Sequence, residues 1–108
     1  MEDCIFCKIA NKEMPKEFVY EDEDLMVFPD IHPAKPVHLL IVPKKHIAEF
    51  TAVTDITLHA KIAQVINNLI LQNNLSNAGY RITVNGGGAQ VVNHLHYHLM
   101  GPMGKAAV

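Results

Sequence analysis

The chain has 108 residues and a formal net charge of −2, with 49% hydrophobic and 19% charged residues. This length allows one domain with a substantial core, and the composition excludes an intrinsically disordered chain. Arg81 is the single arginine and Lys44-Lys45 is the only concentrated basic feature, so no nucleic-acid polymer is predicted as a partner. A small phosphate-bearing ligand remains compatible with this charge, because backbone amides and histidines can bind phosphate.

No apolar run is long enough to span a membrane, and the start, Met1 to Cys4, does not have the form of a signal peptide. We therefore expect a cytoplasmic protein with a single domain over residues 1–108 and a loose C-terminal tail from about residue 103. Cys4 and Cys7 are the only cysteines and have the spacing C-x-x-C. A structural disulfide is not expected in a reducing compartment, which leaves metal binding, redox chemistry or coincidence.

The first half of the chain predicts a helical turn at 4–10 and short strands at 18–20 and 25–28. The acidic run between these strands, 21–24, is more typical of a solvated hairpin loop than of a metal site. Residues 37–42 are almost continuously apolar, which predicts a central strand covered on both faces. Pro43 ends this strand.

One long helix is predicted from Thr54 to about Leu75, with Thr54 or Asp55 as its N-cap. His59 on this helix is interpreted as a surface histidine rather than a ligand. A further strand follows at 80–85. The order of elements predicts an α+β fold, a five-stranded antiparallel sheet with one long helix and a short N-terminal helix. The apolar stripe of the long helix contains Ile56, Ala60, Ile62, Ala63, Val65, Ile66, Leu69 and Ile70.

Three histidines, His94, His96 and His98, alternate with Leu95 and Tyr97 near the end of the chain. Strict alternation predicts a strand, here running to about residue 100, with all three imidazoles on one face. Neighbouring imidazoles would then lie about 6.6–7 Å apart, at a rise of about 3.3 Å per residue. Histidine can act as nucleophile, proton carrier or metal ligand near neutral pH, so we expect the chemistry of the protein at this strand.

A glycine-rich loop, Asn85 to Gly88, lies between the last two predicted strands. Glycines allow backbone amides to converge on an anion, although a glycine triplet by itself is most often only a loop. Beside three histidines on one face, the loop predicts a phosphate cradle. The chemistry indicated is attack of an imidazole on phosphorus, with a covalent phosphohistidine-type intermediate.

The segment from Gln90 to His98 resembles the histidine-triad signature, H-x-H-x-H preceded by a glycine-rich Gly-Gln segment. The resemblance extends from Cys4 to about Gly101 and is greatest to the small nucleoside-phosphoramidase-like branch, which includes the Hint or protein kinase C inhibitor-like proteins. It implies a homodimer in which two sheets join into one continuous ten-stranded sheet and the long helices pack together. Other similar segments are residues 4–9, 12–15, 28–31, 42–47, 79–81 and 84–85.

The resemblance implies a nucleotide hydrolase that acts at the α-phosphate of purine nucleoside 5′-phosphoramidates or related nucleotide conjugates. His96 would attack phosphorus and carry the nucleotide covalently. His94 and His98 would contact phosphate oxygens and fix the orientation and tautomer of His96. Two alternatives are a dinucleoside-polyphosphate hydrolase and a zinc-stabilised nucleotide-binding or regulatory module with little turnover.

The resemblance also implies the nucleotide-binding positions. Asp30 would bind the ribose hydroxyls, and Asn85 would contact phosphate or leaving group. Three departures from the family pattern concern the phosphate loop: Val91 replaces a usual serine or threonine, Ala89 replaces a common glycine, and the loop is short. We expect them to alter rate or substrate choice rather than remove the site. The remaining nucleotide-binding positions are Ile5, Phe6, Ile9 and Phe28 in the nucleobase pocket and Gly88, Gln90 and Val91 in the loop.

Many microbial members of the family, and the related galactose-phosphate uridylyltransferases, hold a structural zinc through such a cysteine pair and two histidines. The resemblance therefore implies a Zn²⁺ site of Cys4, Cys7, His46 and His94, with His94 shared between zinc and phosphate. A saturated tetrahedral set leaves no open position, so such a zinc would be structural. The alternative is a pair of reduced, half-buried thiols.

Two histidines remain: His32 either borders the nucleoside pocket or is a surface residue, and His38 is interpreted as a satisfied core or edge histidine.

Overall fold

Five antiparallel strands form one sheet in the order β1-β2-β3-β5-β4 in a computed structural model that describes residues 3–105. This architecture confirms the predicted α+β class and the five-stranded antiparallel sheet. Neither α-helix among residues 3–105 has the length and hydropathy of a membrane span. The predicted C-terminal tail lies partly outside the described residues. The elements are α1 (Ile5–Ala10), β1 (Tyr20–Glu21), β2 (Leu25–Pro29), β3 (Val37–Pro43), a 3₁₀ turn (Phe50–Ala52), α2 (Ile56–Gln72), β4 (Arg81–Val84) and β5 (Tyr97–Gly101).

The central strand β3 is buried on both faces, as its apolar run predicts. Leu39 and Ile41 belong to the core that includes the inner face of α2. Leu40 and Val42 point to the opposite side of the sheet, into a smaller core with Phe6 of α1. A strand whose alternate residues enter two different cores must be apolar at nearly every position. The same arrangement brings α1 against the second face of the sheet.

The long helix α2 begins after Asp55, whose Oδ1 accepts a hydrogen bond from the Thr57 amide at 2.9 Å. Asp55, rather than Thr54, is therefore the N-cap. Three residues of the predicted apolar stripe of this helix are not buried. Ile56 is 77% exposed, and Ala60 and Ala63 are also exposed. Leu58 in the first turn is half-buried against the core, and the fully buried residues begin in the second turn. They are Ile62, Val65, Ile66, Leu69 and Ile70.

The prediction of one strand through all three triad histidines is wrong. Strand β5 begins only at Tyr97, so His98 lies on it while His94 and His96 precede it. The approach to β5 is fixed instead by the segment after β3, because the Leu95 amide donates to the Ile47 carbonyl at 2.6 Å. Residues 85–96 thus form a long irregular connection between the paired strands β4 and β5, rather than a tight hairpin.

Candidate functional site

His96 lies immediately before β5, and one of its ring nitrogens is bonded to the backbone of His94. Its Nδ1 lies 2.8 Å from the carbonyl oxygen of His94. A carbonyl oxygen only accepts hydrogen bonds, so Nδ1 must carry the proton, and neutral imidazole then has its lone pair on Nε2. The Phe6 ring contacts His96 edge-on, with centroids 5.2 Å apart, and limits rotation of the imidazole. His96 therefore presents an unprotonated Nε2 that can act as a nucleophile.

His98 lies beside His96, with the two ring centroids 5.2 Å apart. Its Nδ1 is 2.8 Å from Nε2 of His38 on the neighbouring strand β3, where His38 is the register partner of Met100. The Asp30 carboxylate is farther away, 3.5 Å from His38 Nε2 and 3.9 Å from His98 Nδ1. Burial lowers the pKa of His98, and the nearby His96 and His38 lower it further, against the opposing effect of Asp30. These effects favour the neutral form of His98.

Four sulfur and nitrogen donors meet where α1 approaches the connection to β5. Cys4 Sγ is 3.2 Å from His94 Nδ1, and Cys7 Sγ is 3.2 Å from His46 Nδ1 and 3.5 Å from His94 Nδ1. All four donor atoms lie within 4.8 Å of one another. Cys4 is also the N-cap of α1, since its Sγ accepts from the Cys7 amide at 3.3 Å. The C-x-x-C spacing thus places both thiols on one side of the first turn.

The geometry of this cluster suits a tetrahedral metal ion. Arms of about 2.3 Å to sulfur and about 2.0 Å to nitrogen place neighbouring ligand atoms about 3.5 Å apart, close to the observed separations. Nε2 of His94 donates to the Pro43 carbonyl at 2.7 Å, which leaves Nδ1 unprotonated toward the sulfurs. Burial and the bond to Cys4 raise the pKa of Cys7 to about 11, and a bound cation would offset this cost of ionisation.

The ring of His94 is completely buried and both of its nitrogens are engaged, by Pro43 and by the cysteines. It therefore has no ring atom left to contact a phosphate, so the expected sharing of the His94 side chain between zinc and phosphate does not fit this geometry. What His94 contributes to His96 is its backbone carbonyl. One residue thus joins the metal-type cluster to the candidate nucleophile.

The residues predicted to form a nucleobase pocket are not gathered in one cavity. Phe6, Ile9 and Phe28 are core residues, and Phe28 is only 2% exposed. Ile5 is exposed but lines a cavity of about 540 Å³ on the side of Val91. Asp30 borders a separate open groove of about 550 Å³. The other residues that line this groove are Pro15, Lys16, Glu17, Pro29 and Ile31.

Ile31 is an exposed apolar residue of the groove beside Asp30 that the sequence analysis did not select. It is 74% exposed and lies directly after Asp30 in the groove. An exposed apolar side chain beside a carboxylate offers one surface for a flat base and one acceptor for hydroxyls. Its presence in the 28–31 segment next to Asp30 was the signal that could have identified it.

The glycine loop does not form an open phosphate cradle. The Gly87 amide donates to the Glu49 carboxylate at 3.3 Å, and the Gly88 amide donates to the Gln90 side chain at 3.2 Å. The Ala89 amide is bonded to the Gly86 carbonyl at 3.1 Å. Donors already paired within the chain are unavailable to a phosphate unless the loop rearranges. The Gln90 amide also donates to the Ala48 carbonyl at 3.1 Å, which ties the loop to the 46–49 segment.

The other loop positions and histidines are placed as follows. Asn85 is exposed, and Val91 is 97% exposed with no side-chain hydroxyl. His32 is exposed, and its backbone amide donates to Asp30 at 2.8 Å. His59 packs against the Phe50 ring, away from both histidine clusters. His38, which sequence patterns treat as an ordinary core residue, is buried in contact with His98.

A five-stranded antiparallel sheet whose fifth strand begins within a His-x-His-x-His segment is typical of the histidine-triad class. A family model described as "Scavenger mRNA decapping enzyme C-term binding" matches residues 3–108. Protein HitA of Neisseria gonorrhoeae is 41% identical over 105 residues, which are 94% of this chain and 97% of HitA. A HIT family hydrolase from Legionella pneumophila is 46% identical with a TM-score of 0.84, over 92% of each chain. A histidine triad protein from Clostridium difficile is 40% identical with a TM-score of 0.87, over 100% of this chain and 96% of that one.

The chain belongs to the histidine-triad (HIT) family.

Proposed function

We propose that this protein is a nucleotide hydrolase that cleaves purine nucleoside 5′-phosphoramidates, or related nucleotide conjugates, at the α-phosphate. The observation that carries the proposal is the bond from His96 Nδ1 to the His94 carbonyl, which leaves Nε2 as an unprotonated nucleophile. The similarity to a HIT family hydrolase from Legionella pneumophila also supports a hydrolytic activity. The purine base and the phosphoramidate bond follow from the resemblance to the phosphoramidase-like branch.

In the first step, the Nε2 lone pair of His96 forms a bond to phosphorus while the phosphorus–nitrogen bond to the leaving amine breaks. The amine leaves with a proton from solvent. The modified ring carries a positive charge, and its Nδ1–H remains bonded to the His94 carbonyl, which stabilises that charge. In the second step, water attacks phosphorus, the bond to Nε2 breaks, and the nucleoside monophosphate and a proton are released.

The groove beside Asp30 is the proposed nucleoside site. The Asp30 carboxylate would accept bonds from the ribose hydroxyls, and Ile31 would supply exposed apolar surface for the base. The edge of the Phe28 ring would contribute less, since it is almost buried. Asn85, Gly88, Gln90 and Val91 remain proposed contacts to phosphate and leaving group. For Gly88 and Gln90, such contacts require the loop to exchange its internal bonds for the ligand.

Cys4, Cys7, His46 and His94 are proposed to hold a structural Zn²⁺. When bound, the ion would fix the position of α1 against the segment that carries His96. Because four protein ligands saturate a tetrahedral ion, it would take no part in the hydrolysis. Reduced cysteines as ligands fit a reducing compartment, so we propose a cytoplasmic location.

A homodimer is proposed through the edge strand β4 and the adjacent face of α2. Tyr80 and Ile82 are exposed at this edge, 46% and 44% respectively. They line a shallow depression of about 390 Å³ with Ala63, Ile66 and Tyr97. An unpaired strand edge with exposed apolar residues is unfavourable in a free monomer. Pairing of two β4 strands would give the ten-stranded sheet that the resemblance implies.

Two other functions remain alternatives. A dinucleoside-polyphosphate hydrolase would use the same nucleophile with a nucleotide as leaving group. A nucleotide-binding or regulatory module with little turnover is favoured by Val91, which offers no hydroxyl near the leaving group. Initial rates on adenosine 5′-phosphoramidate and on diadenosine polyphosphates distinguish the proposed phosphoramidate hydrolase from a dinucleoside-polyphosphate hydrolase. Tight nucleotide binding without hydrolysis of either substrate would support the binding module.

The proposed activity is tested by hydrolysis of adenosine 5′-phosphoramidate by the wild-type protein and His96→Ala. We expect His96→Ala to lose at least about 10³-fold in kcat while it still binds the nucleotide. Gln64→Ala is the control, because Gln64 is exposed on α2 and lies outside both histidine groups and the depression at β4, and it should retain wild-type rates. Equal activity of His96→Ala and wild type would contradict the proposal.

A further inference from the structure

We propose that the groove beside Asp30 selects guanine over adenine, and that Lys16 makes this distinction by donating a hydrogen bond to the 6-carbonyl oxygen of the base. This inference rests on the proposed function and deepens it, because it names the base within the purine class. The preference is a property of nucleotide binding and can be measured without turnover.

Lys16 is half-buried in the wall of the groove that also contains Asp30 and Ile31. Its Nζ lies 5.0 Å from the centroid of the Phe28 ring, within the range of a cation–π contact. The aliphatic stem of a lysine can cover apolar surface while its ammonium group remains accessible to solvent and ligand. The contact with Phe28 therefore holds a positive charge at the groove.

The hydrogen-bonding capacity of this ammonium group is unused. Among residues 3–105, Lys16 forms no ion pair and donates no hydrogen bond, although Glu17 and Asp30 line the same groove. A lysine ammonium has three N–H donors and no acceptor. A restrained, half-buried donor of this kind in a groove indicates a ligand that supplies an acceptor.

The charge of the groove decides which kind of acceptor fits. Lys16 contributes one positive charge, while Glu17 and Asp30 contribute two negative charges. A second phosphate on the ribose would meet net repulsion from these groups, so we expect the acceptor to be an uncharged atom. In a nucleotide whose ribose hydroxyls bind Asp30, the base supplies such atoms.

Guanine and adenine differ at the edge that would meet Lys16. Guanine has two neighbouring acceptors there, O6 and N7, whereas adenine has N7 beside an amino group that donates. An ammonium group can bind both acceptors of guanine, but it opposes the amino group of adenine. With the base against Ile31, the position of Lys16 over Phe28 therefore favours guanine.

Lys16 is remote from the reacting atoms but joined to them by aromatic contacts. The Phe28 ring contacts Phe6, with centroids 5.8 Å apart, and Phe6 contacts His96 at 5.2 Å. Two rings thus separate Lys16 from the proposed nucleophile. We therefore expect changes at Lys16 to affect KM and nucleotide affinity, with kcat changed little.

The inference is tested by calorimetric binding of guanosine, inosine and adenosine monophosphates to the wild-type protein. Inosine has the 6-carbonyl oxygen but lacks the amino group of guanine, so it isolates the contact to O6. We expect the guanosine and inosine nucleotides to bind at least about tenfold more tightly than the adenosine nucleotide.

Lys16→Met keeps an unbranched apolar stem over Phe28 but removes the donor, and should bring the three affinities to within about twofold of one another. Lys12→Met is the matched control. Lys12 also lies over a phenylalanine ring, with its Nζ 5.6 Å from the Phe18 centroid, but it does not line the groove. Lys12→Met should keep the wild-type preference.

Equal affinity of the wild type for the guanosine and adenosine nucleotides, or a preference that persists in Lys16→Met, would overturn the inference. Tighter binding of adenosine 3′,5′-bisphosphate than of adenosine monophosphate, lost in Lys16→Met, would also overturn it, because Lys16 would then bind phosphate. A wild type that prefers guanine but hydrolyses no phosphoramidate would contradict the proposed function alone. Hydrolysis without any base preference would contradict this inference alone.

Discussion

The carbonyl oxygen of His94 lies 2.8 Å from Nδ1 of His96, while the ring of the same His94 faces the sulfurs of Cys4 and Cys7. A single residue therefore connects two sites with different chemistry. Its side chain belongs to the candidate metal cluster, and its backbone orients the proposed nucleophile. Any disturbance of the cluster should be transmitted to His96 through this one backbone segment.

The first prediction concerns the metal. Protein purified without added zinc should contain about one Zn²⁺ per chain, because a Cys₂His₂ set binds this ion tightly. Its removal by a chelator should lower the melting temperature and the hydrolysis rate together. Metal analysis and a thermal unfolding curve on the same sample measure both effects.

His46→Ala should abolish zinc binding in the same preparation, whereas His32→Ala, a change at an exposed histidine, should not. An equal zinc content in these two variants would argue against the cluster as the metal site.

The second prediction uses Asp22, which anchors the turn between β1 and β2. Burial alone would raise its pKa, but bonds from the Tyr20 hydroxyl, the amides of Asp24 and Leu25, and Lys61 lower it from 3.8 to about 2. A carboxyl with a depressed folded-state pKa stabilises the fold above its unfolded pKa. This contribution is lost as the pH falls from about 4 to about 2.

Asp22→Asn should reduce the free energy of unfolding at pH 7 by about 1 kcal/mol, after allowance for solvent screening. It should also flatten the loss of stability between pH 4 and pH 2, as measured by denaturant unfolding. Glu23→Gln changes the neighbouring exposed carboxylate and is the control. An unchanged acid dependence in Asp22→Asn would show that these bonds do not stabilise the turn.

The third prediction concerns assembly. Ile82→Glu places a charge in the edge strand β4 and should convert a dimer to monomers, because that charge would be buried where the two chains meet. Leu71→Glu is the matched control, since Leu71 is more exposed and lies outside the depression at β4. Analytical ultracentrifugation measures the masses. A wild-type monomer, or dissociation by both variants alike, would contradict the proposed interface.

The fourth prediction concerns Val91. Because its side chain is almost fully exposed, Val91→Ser should not affect stability, and it would introduce a hydroxyl near the proposed leaving group. We expect kcat on phosphoramidates to rise by roughly threefold to tenfold. Val19→Ser, at another exposed valine distant in sequence, is the control. A rate unchanged in Val91→Ser would indicate that the leaving group departs without help at this position.

The sheet and the long helix were predictable because the residues that are buried in them also follow the hydrophobic pattern of a strand or a helix along the sequence. Strand β3 is apolar at consecutive positions since both its faces are covered, and α2 has helical periodicity where it packs. The strand through His94 and His96 was mispredicted because alternation also arises in a loop. Here His94 faces Pro43 and the cysteines instead of a sheet neighbour.

The remaining errors involve partners that are distant in sequence. The glycine amides are paired partly by Glu49, and His38 contacts His98 across β3 and β5. Hydrophobic periodicity and short motifs do not predict such contacts between residues distant in sequence. The Cys4, Cys7, His46 and His94 group was inferred in advance only through a family resemblance, and its four donors do lie together.

The most direct test of the central claim is the mass of the intact protein, quenched in acid-free denaturant during turnover of adenosine 5′-phosphoramidate. We expect a transient adduct of one adenosine monophosphate group, which peptide mapping should locate on His96 and which should be absent from His96→Ala. Turnover with no adduct at any time point, or an adduct on another residue that persists in His96→Ala, would contradict it.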